Sequence, residues 1–266
     1  MPKVKVNDIQ MYYEVHGEGF PLIMIMGLSG NINWWDPHLI AKLSTKFQLV
    51  VFDNRGAGRT DTSNRKYTVK LFADDSAGLM DALGISRAHV LGISMGGMIA
   101  QELALSYPEK VGKLILCSTT CGGPKSVPPS EKALEMLTAD NRALSHEEVI
   151  RMAIPFLVTG KFIEDNPDLV EFKTRQMLKV PISNAAYIRQ LDAIMEFDAY
   201  ERLSQIKVPT LILHGKQDML VPPENGSILA TAILDSKLVY FKNSAHELTE
   251  ETEKAISVVL DFLLES

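Results

Sequence analysis

Hydrophobic residues fall into short continuous runs that alternate with stretches of helical periodicity. These runs are typical of strands buried on both faces, as in a parallel sheet. They occupy residues 21–26, 47–52, 88–93, 113–117, 210–214 and 237–241. Ahead of them, residues 3–6 and 9–15 flank an Asn7-Asp8 turn, which predicts a β-hairpin at a sheet edge. The pattern therefore predicts an α/β protein with a mostly parallel sheet.

Helical periodicity fills the gaps between the first runs. Residues 69–83 carry apolar positions on one helical face and are followed by Gly84, a usual stop signal. Residues 95–107 predict a second helix, which ends before Pro108. Strands and helices thus alternate as they do in βαβ units.

The alternation breaks between residues 124 and 207, where only helices are predicted. They span residues 130–137, 145–157, 168–178 and 184–197, and Ser145 with Glu148 forms a capping-box sequence at the start of the second. We call residues 124–207 the cap segment. Because ligands bind at the carboxyl ends of parallel strands, a helical insertion there predicts a lid. The predicted organisation is a core of residues 1–123 and 208–266 interrupted by this cap segment.

Composition narrows the range of partners. Hydrophobic residues make up 46% and charged residues 23% of the 266 residues, which is typical of a globular protein. The net charge of −6, with scattered Lys and Arg, argues against a nucleic acid partner. Because no apolar run reaches 18 residues and the N-terminus lacks a signal-peptide pattern, we expect no membrane partner and a cytoplasmic location. A homo-oligomer is left open.

The sharpest local motif is Gly92-Ile93-Ser94-Met95-Gly96. It lies between a predicted buried strand and a predicted helix, which is the context that a nucleophile elbow requires. The glycines keep the turn free of side chains that would collide with neighbouring backbone. Ser94 is therefore the candidate nucleophile.

A serine nucleophile needs a base, and the chain has six histidines. Only His246 falls between the last predicted strand and the last predicted helix, at the sheet edge where Ser94 should emerge. The others are interpreted as structural: His16, His38, His89, His146 and His214.

The base in turn needs an acid that fixes its tautomer. Where the serine lies at a strand-to-helix elbow, the acid is expected between the serine and the histidine along the chain. Asp218 follows the strand at 210–214 by a few residues and is the first candidate. Asp198 and Glu247 are the competitors.

Two backbone N–H groups are candidates for an oxyanion hole. Met95 begins the helix after Ser94, where helix amides lack partners and partial positive charge collects. Leu28 lies in the glycine loop Met26-Gly27-Leu28-Ser29-Gly30 after the third strand.

Taken together, these segments resemble the serine-dependent α/β-hydrolases of the carboxylesterase, 3-oxoadipate enol-lactonase and cofactor-free haloperoxidase branch. The segments are Met26-Gly27, the D-x-R-G-x-G-x-T loop at 53–60, the Ser94 elbow, and residues 215–218 with His246. The resemblance implies an eight-stranded, mostly parallel sheet flanked by helices with a helical cap. It also implies no metal, no organic cofactor and a serine acyl-enzyme. Met26 departs from the family, in which a histidine at this position often supports the oxyanion loop.

The expected reaction is hydrolysis of a small carboxylic ester, with a lactone or enol-lactone as the alternative substrate. Thioesters, carbon–carbon bonds, peracid formation and non-catalytic ligand trapping rank lower. A dinucleotide site at Gly56-Ala57-Gly58 is disfavoured because Asp61 replaces the third glycine. Cys117 and Cys121 lack the further ligands of a metal site. The candidate pocket residues are Trp34, Trp35, Met98, Phe156, Phe162 and Met195.

Overall fold

The computed structural model describes residues 2–265, which form one eight-stranded sheet. The strands are β1 (Lys3–Val6), β2 (Ile9–His16), β3 (Phe20–Ile25), β4 (Phe47–Phe52), β5 (Ala88–Ile93), β6 (Val111–Cys117), β7 (Thr210–Gly215) and β8 (Ser236–Phe241). Their order across the sheet is β1-β2-β4-β3-β5-β6-β7-β8. The hairpin β1–β2 is antiparallel and joins β4 antiparallel, whereas every later pair is parallel. The predicted α/β class and the mostly parallel sheet are confirmed.

Helices connect the strands. They are α1 (Pro37–Leu43), α2 (Val69–Ala82), α3 (Met95–Ser106), α4 (Glu131–Thr138), α5 (His146–Leu157), α6 (Gly160–Asp165), α7 (Pro167–Leu178), α8 (Asn184–Met195), α9 (Glu224–Ala232) and α10 (Thr252–Leu264). Sequence periodicity missed α1, α6 and α9, because each has fewer than ten residues and shows too few apolar repeats.

The sheet is covered on both faces. One apolar cluster joins the sheet to α2, α3 and α9, and includes the fully buried Leu79, Ile99 and Leu229. The other joins it to α1 and α10, through Leu43 and Val259. Burial on both faces explains why the parallel strands are continuous apolar runs in the sequence.

The cap segment lies between β6 and β7 and carries α4 to α8 in the described part of the chain. Its helices α5 and α7 share a separate apolar cluster that includes Ile150, Ile154 and Met177. The predicted capping box is present, since Ser145 and Glu148 exchange side chain to backbone hydrogen bonds. The limits 124 and 207 stay a prediction. Among residues 2–265, no helix combines the length and the apolar character needed to cross a membrane.

The loop after β4 is held by a buried guanidinium. Arg55 is fully buried and donates from Nε and Nη2 to the two carboxylate oxygens of Asp75, both at 2.7 Å. Its Nη2 also lies 2.8 Å from Asp8 Oδ1, and Nη1 donates to Ser63 Oγ. These acids raise the pKa of Arg55 against the opposing effect of burial. These contacts give Arg55 a structural role in the loop after β4.

Loss of Asp75 should strongly destabilise the fold. Asp75→Ala leaves the buried Arg55 charge with only the half-exposed Asp8, so the free energy of unfolding should fall by about 3 kcal/mol. Asp8→Ala is the matched control and should cost less, because the Asp8 carboxylate is 39% exposed. Urea denaturation measures both. Equal losses in the two variants would contradict a dominant Arg55–Asp75 pair.

Candidate active site

Ser94 stands at a sharp turn between β5 and α3. Its φ of 57° and ψ of −124° lie outside the usual regions for a non-glycine residue. A Cβ on Gly92 would lie 2.1 Å from Gly96 O, and one on Gly96 would lie 2.1 Å from Ile25 O. Only glycine fits at these two positions, as the sequence motif predicted.

The turn is also held by hydrogen bonds. Ser94 N donates to Cys117 O at 2.9 Å, and Thr119 Oγ1 donates to Ser94 O at 2.7 Å. Cys117 is the last residue of β6, the neighbouring strand, and Thr119 follows it by two residues. The serine backbone is therefore fixed by the sheet, while its hydroxyl borders a cavity.

Asp218 and His246 are brought together from two different loops. His246 Nδ1 lies 2.7 Å from Asp218 Oδ2, and both residues are 4% exposed. The other oxygen, Asp218 Oδ1, accepts from Leu220 N and Val221 N, both at 2.9 Å. Since the carboxylate only accepts, His246 donates from Nδ1, which leaves Nε2 of the neutral ring as the basic nitrogen.

The pair shifts both pKa values. Burial alone would lower the pKa of His246, but the charge and hydrogen bond of Asp218, with the charge of Glu247, outweigh it and raise that pKa. Burial alone would raise the pKa of Asp218, but His246 and His214 outweigh it and lower that pKa. Asp218 is thus ionised, and it stabilises the protonated form of His246.

His214, interpreted as structural from the sequence, is a neighbour of this pair. The ring is fully buried, and Nε2 lies 2.8 Å from Val221 O and 3.6 Å from Asp218 Oδ2. A carbonyl only accepts, so Nε2 carries the proton and its N–H also faces the carboxylate. His214 therefore adds a donor beside Asp218. Its spacing of four residues from Asp218 was the only sequence signal, and that spacing alone is not specific.

The two competing acids, Asp198 and Glu247, interact with other residues. Asp198 Oδ1 accepts from Tyr200 N at 3.1 Å, and the residue is exposed. Glu247 pairs with Lys173 of α7. Of the three candidates, Asp218 is the one whose carboxylate is hydrogen-bonded to His246.

The loop after β3 lies against Ser94. A Cβ on Gly27 would be 3.0 Å from Ser94 Cβ and 3.5 Å from Ser94 Oγ. Leu28 follows Gly27 and borders the same cavity. Met95 begins α3, so its N–H has no partner within the helix. Both predicted donors thus lie next to Ser94 in the chain or in space.

Met26 packs inside this loop in place of the family histidine. Its side chain is so close to Gly30 that a Cβ there would lie 2.5 Å from Met26 Cγ. Its carbonyl accepts from Asn54 Nδ2 at 2.8 Å. The loop after β4 thereby supports the loop after β3, a contact that the sequence did not reveal.

A cavity of about 1240 Å³ lies between the cap segment and the carboxyl ends of the strands. Ser94, His246 and Leu28 border it from the core, and the cap segment contributes mainly apolar side chains. Within residues 2–265, the hydrogen bonds of His246 include Nδ1 to Asp218 but none from Nε2 to Ser94 Oγ, a contact that often forms only when a substrate is bound.

Half of the predicted pocket residues lie elsewhere. Trp34, Met98 and Met195 border the cavity. Trp35 instead packs in the cluster with α1 and α10, and Phe162 packs on the cluster of α5 and α7. Phe156 is on a side of α5 that does not border the cavity. An apolar residue shows that a helix face is buried, but not which neighbour buries it.

Comparisons with known proteins identify the family to which this fold belongs. A family model described as alpha/beta hydrolase fold matches residues 21–252. A protein from Azorhizobium caulinodans with the provisional name carbamate hydrolase RutD is 30% identical over 260 residues, covering 98% of this chain and 97% of its own. From Pseudomonas putida, 2-hydroxy-6-oxononadienedioate/2-hydroxy-6-oxononatrienedioate hydrolase 2 is 32% identical over 270 residues, covering 96% and 92%. The crystal structure of the enol-lactonase from Burkholderia xenovorans LB400 has a TM-score of 0.86 and 26% identity, covering 99% and 100%.

Replacing Asp218 should lower the pKa of His246. Asp218→Asn removes the charge that raises this pKa and leaves the burial that lowers it, so the ring should titrate at lower pH. Titration of the His246 ring by NMR measures the shift without any substrate. Glu247→Gln is the control and should lower the pKa less, because Glu247 acts only through its charge. A larger shift in Glu247→Gln than in Asp218→Asn would transfer the acid role to Glu247.

Proposed function

Since this chain belongs to the α/β-hydrolase fold family, we propose that it is a serine hydrolase that cleaves carboxylic esters of small, uncharged molecules. One observation carries the proposal: Ser94 at its strained turn shares a cavity with His246, which is hydrogen-bonded at 2.7 Å to the buried Asp218. This is the order of nucleophile, base and orienting acid that acyl transfer to water requires.

The first half of the reaction forms an acyl-enzyme. Ser94 Oγ attacks the ester carbonyl while His246 Nε2 takes the hydroxyl proton, and Asp218 stabilises the imidazolium. The carbonyl oxygen becomes an oxyanion, which the N–H groups of Leu28 and Met95 stabilise. Collapse of the tetrahedral intermediate breaks the bond to the alcohol oxygen, and the imidazolium returns the proton to that oxygen.

The second half releases the acid. A water molecule attacks the acyl carbonyl while His246 Nε2 accepts a proton from the water. A second oxyanion forms and accepts hydrogen bonds from the same N–H groups of Leu28 and Met95. The bond to Ser94 Oγ then breaks, and His246 returns the proton to the serine. Water is the only co-reactant.

Charge at the cavity favours uncharged substrates. Within residues 2–265, Arg142 is the single Lys or Arg that borders the cavity, and it is exposed. Arg142 is already paired with Asp140, through Nε at 2.8 Å and Nη2 at 2.6 Å. A substrate carboxylate would find no free cation there, which disfavours dicarboxylates such as those in the name of the Pseudomonas relative.

The size and lining of the cavity favour a bulky apolar group. Its volume of about 1240 Å³ exceeds the roughly 300–1,000 Å³ usual for small-molecule sites. The apolar residues at its cap side include Leu137, Ile150, Ile188 and Leu191. Longer acyl chains should therefore be cleaved better than acetate.

A lactone is the second candidate substrate. The likeness to an enol-lactonase structure supports it, and a lactone is an ester whose alcohol remains tethered to the acyl group. The same residues perform the same steps on it. A panel of p-nitrophenyl esters of rising chain length, run beside lactones, separates the two substrate classes.

Ser94→Ala should abolish ester hydrolysis. Loss of the nucleophile should lower kcat on the order of 10⁶-fold while the protein stays folded. A fluorophosphonate should add once to the intact protein, and peptide mass spectrometry should find it on Ser94. Ser106→Ala, at the other end of α3, should keep both the activity and the label. Labelling of another serine, with Ser94→Ala still active, would refute this nucleophile.

Filling the cavity from the cap segment should shorten the preferred acyl chain. Leu191→Trp adds bulk at the cavity, so kcat/KM for the longest good ester should fall at least about ten-fold while acetate is little affected. Phe156→Leu changes α5 away from the cavity and should leave the chain-length profile unchanged. The reverse result, with a shift only in Phe156→Leu, would show that the cap segment does not bind the acyl chain as described.

A further inference from the structure

The loop that carries Leu28 is a strained turn. Gly30 N donates to Gly27 O at 3.2 Å, which closes a four-residue turn with Leu28 and Ser29 at its centre. Ser29 has a φ of 60°, in the left-handed region that favours glycine. A positive φ at this third position is the pattern of a type II turn, in which glycine is usual. Something outside the turn must hold a serine in that conformation.

A side chain from the cap segment holds the central peptide of this turn. Gln190 of α8 is fully buried, and its Oε1 accepts from Ser29 N at 2.8 Å. Its Nε2 donates to Arg55 O at 3.1 Å. A backbone N–H can only donate and a carbonyl can only accept, so these two contacts determine the orientation of the amide. From its position on the cap segment, Gln190 therefore links the loop after β3 to the loop after β4.

We propose that Gln190 is a positioning residue for the oxyanion hole, so that docking of α8 on the core sets the direction of the Leu28 N–H. The inference rests on the proposed function, since Leu28 N–H has this role only if Ser94 forms an oxyanion. Gln190 fixes the Leu28–Ser29 peptide, and the neighbouring Gly27–Leu28 peptide carries the donor. The cap segment thus acts on the rate of the chemical step as well as on substrate choice.

The environment of the loop explains why such support is needed. Met26 provides no hydrogen bond from its side chain to the turn, and Asn54 Nδ2 holds only the carbonyl of Met26, ahead of the turn. Another hydrogen bond between the cap segment and the core lies just after the turn, where Asn31 Nδ2 donates to Val180 O at 2.9 Å. The Ser29 peptide itself is held by Gln190.

Gln190→Met tests the proposal because methionine keeps the length and loses both hydrogen bonds. The probes are a trifluoromethyl ketone, which forms a tetrahedral adduct with the serine, and the matching methyl ketone, which resembles the ground state. The variant should bind the trifluoromethyl ketone about 10- to 100-fold more weakly, with a parallel loss of kcat. Affinity for the methyl ketone, KM and the acid limb of the pH profile should change little.

Two further variants separate positioning from general damage. Arg189→Met removes the neighbouring contact of α8 to the core, Arg189 Nη2 to Asn64 Oδ1 at 3.5 Å, and should behave as wild type. Ser29→Gly in the Gln190→Met background should recover part of the loss, because glycine adopts a positive φ without support. If Gln190→Met does not fold, Gln190→Asn, whose amide is too short to reach both partners, takes its place.

Hydrogen exchange of the Ser29 amide gives a readout that needs no activity. The amide should be protected in the wild type and exchange faster in Gln190→Met, whether or not the protein cleaves esters. Unchanged exchange, unchanged binding of the trifluoromethyl ketone, or equal weakening of both ketones would each overturn the role of Gln190. Failure of the proposed function looks different: the wild type itself would neither cleave esters nor prefer the trifluoromethyl ketone.

Discussion

The close backbone packing around Ser94 is the constraint on which the rest of the site depends. A residue with a φ of 57° and a ψ of −124° costs about 1–3 kcal/mol unless its surroundings enforce it. Here Gly96 lies against Ile25 O of β3, and Ser94 N donates to Cys117 O of β6. The sheet order β3-β5-β6 therefore holds the turn from both sides. Because the strands from β3 to β8 run parallel, the loops after β3, β7 and β8 lie at the same edge as the Ser94 hydroxyl.

The second constraint is the buried carboxylate of Asp218. An ionised group at 4% exposure is tolerated only when its oxygens are satisfied, and this one has two backbone donors, His246 Nδ1 and the nearby His214 N–H. Those donors keep the charge in place, and the charge in turn raises the pKa of His246. A raised pKa means that the neutral ring is favoured only as the pH rises, so the proposed hydrolase activity, with His246 as base, should grow from acid toward neutral pH.

The sequence could predict those parts of the molecule that depend on short-range signals. Parallel strands appear as apolar runs because both of their faces are buried, and the Ser94 elbow appears because its glycines flank the serine in the chain. His246 was predicted to be the base from its place after the last strand, and the structure brings it within hydrogen-bond distance of Asp218. Such signals do not extend to contacts between distant segments, which is why Gln190 was missed: a polar residue on a helix face does not reveal the buried carbonyl and amide that it meets 135 and 161 residues away. The same limit explains Phe156 and Phe162, whose apolar character is shared with true cavity residues.

Met26 stands where the family often has a histidine, and this difference changes which residues can support the oxyanion loop. The family histidine at this position would support the oxyanion loop from within the core, whereas methionine can only pack. In this chain, Gln190 of the cap segment binds the turn, and the buried Arg55 supplies the carbonyl that anchors the other end of that amide. Arg55 is in turn held by Asp75, so a buried ion pair that does not border the cavity supports the anchor of the turn. Since α8 also borders the cavity through Leu191, the proposed role of Gln190 implies that a bulky substrate that displaces α8 would loosen the turn that carries the proposed oxyanion donor. Substrates that let α8 stay docked should therefore react faster than others that bind equally well, because binding and transition-state stabilisation share one helix.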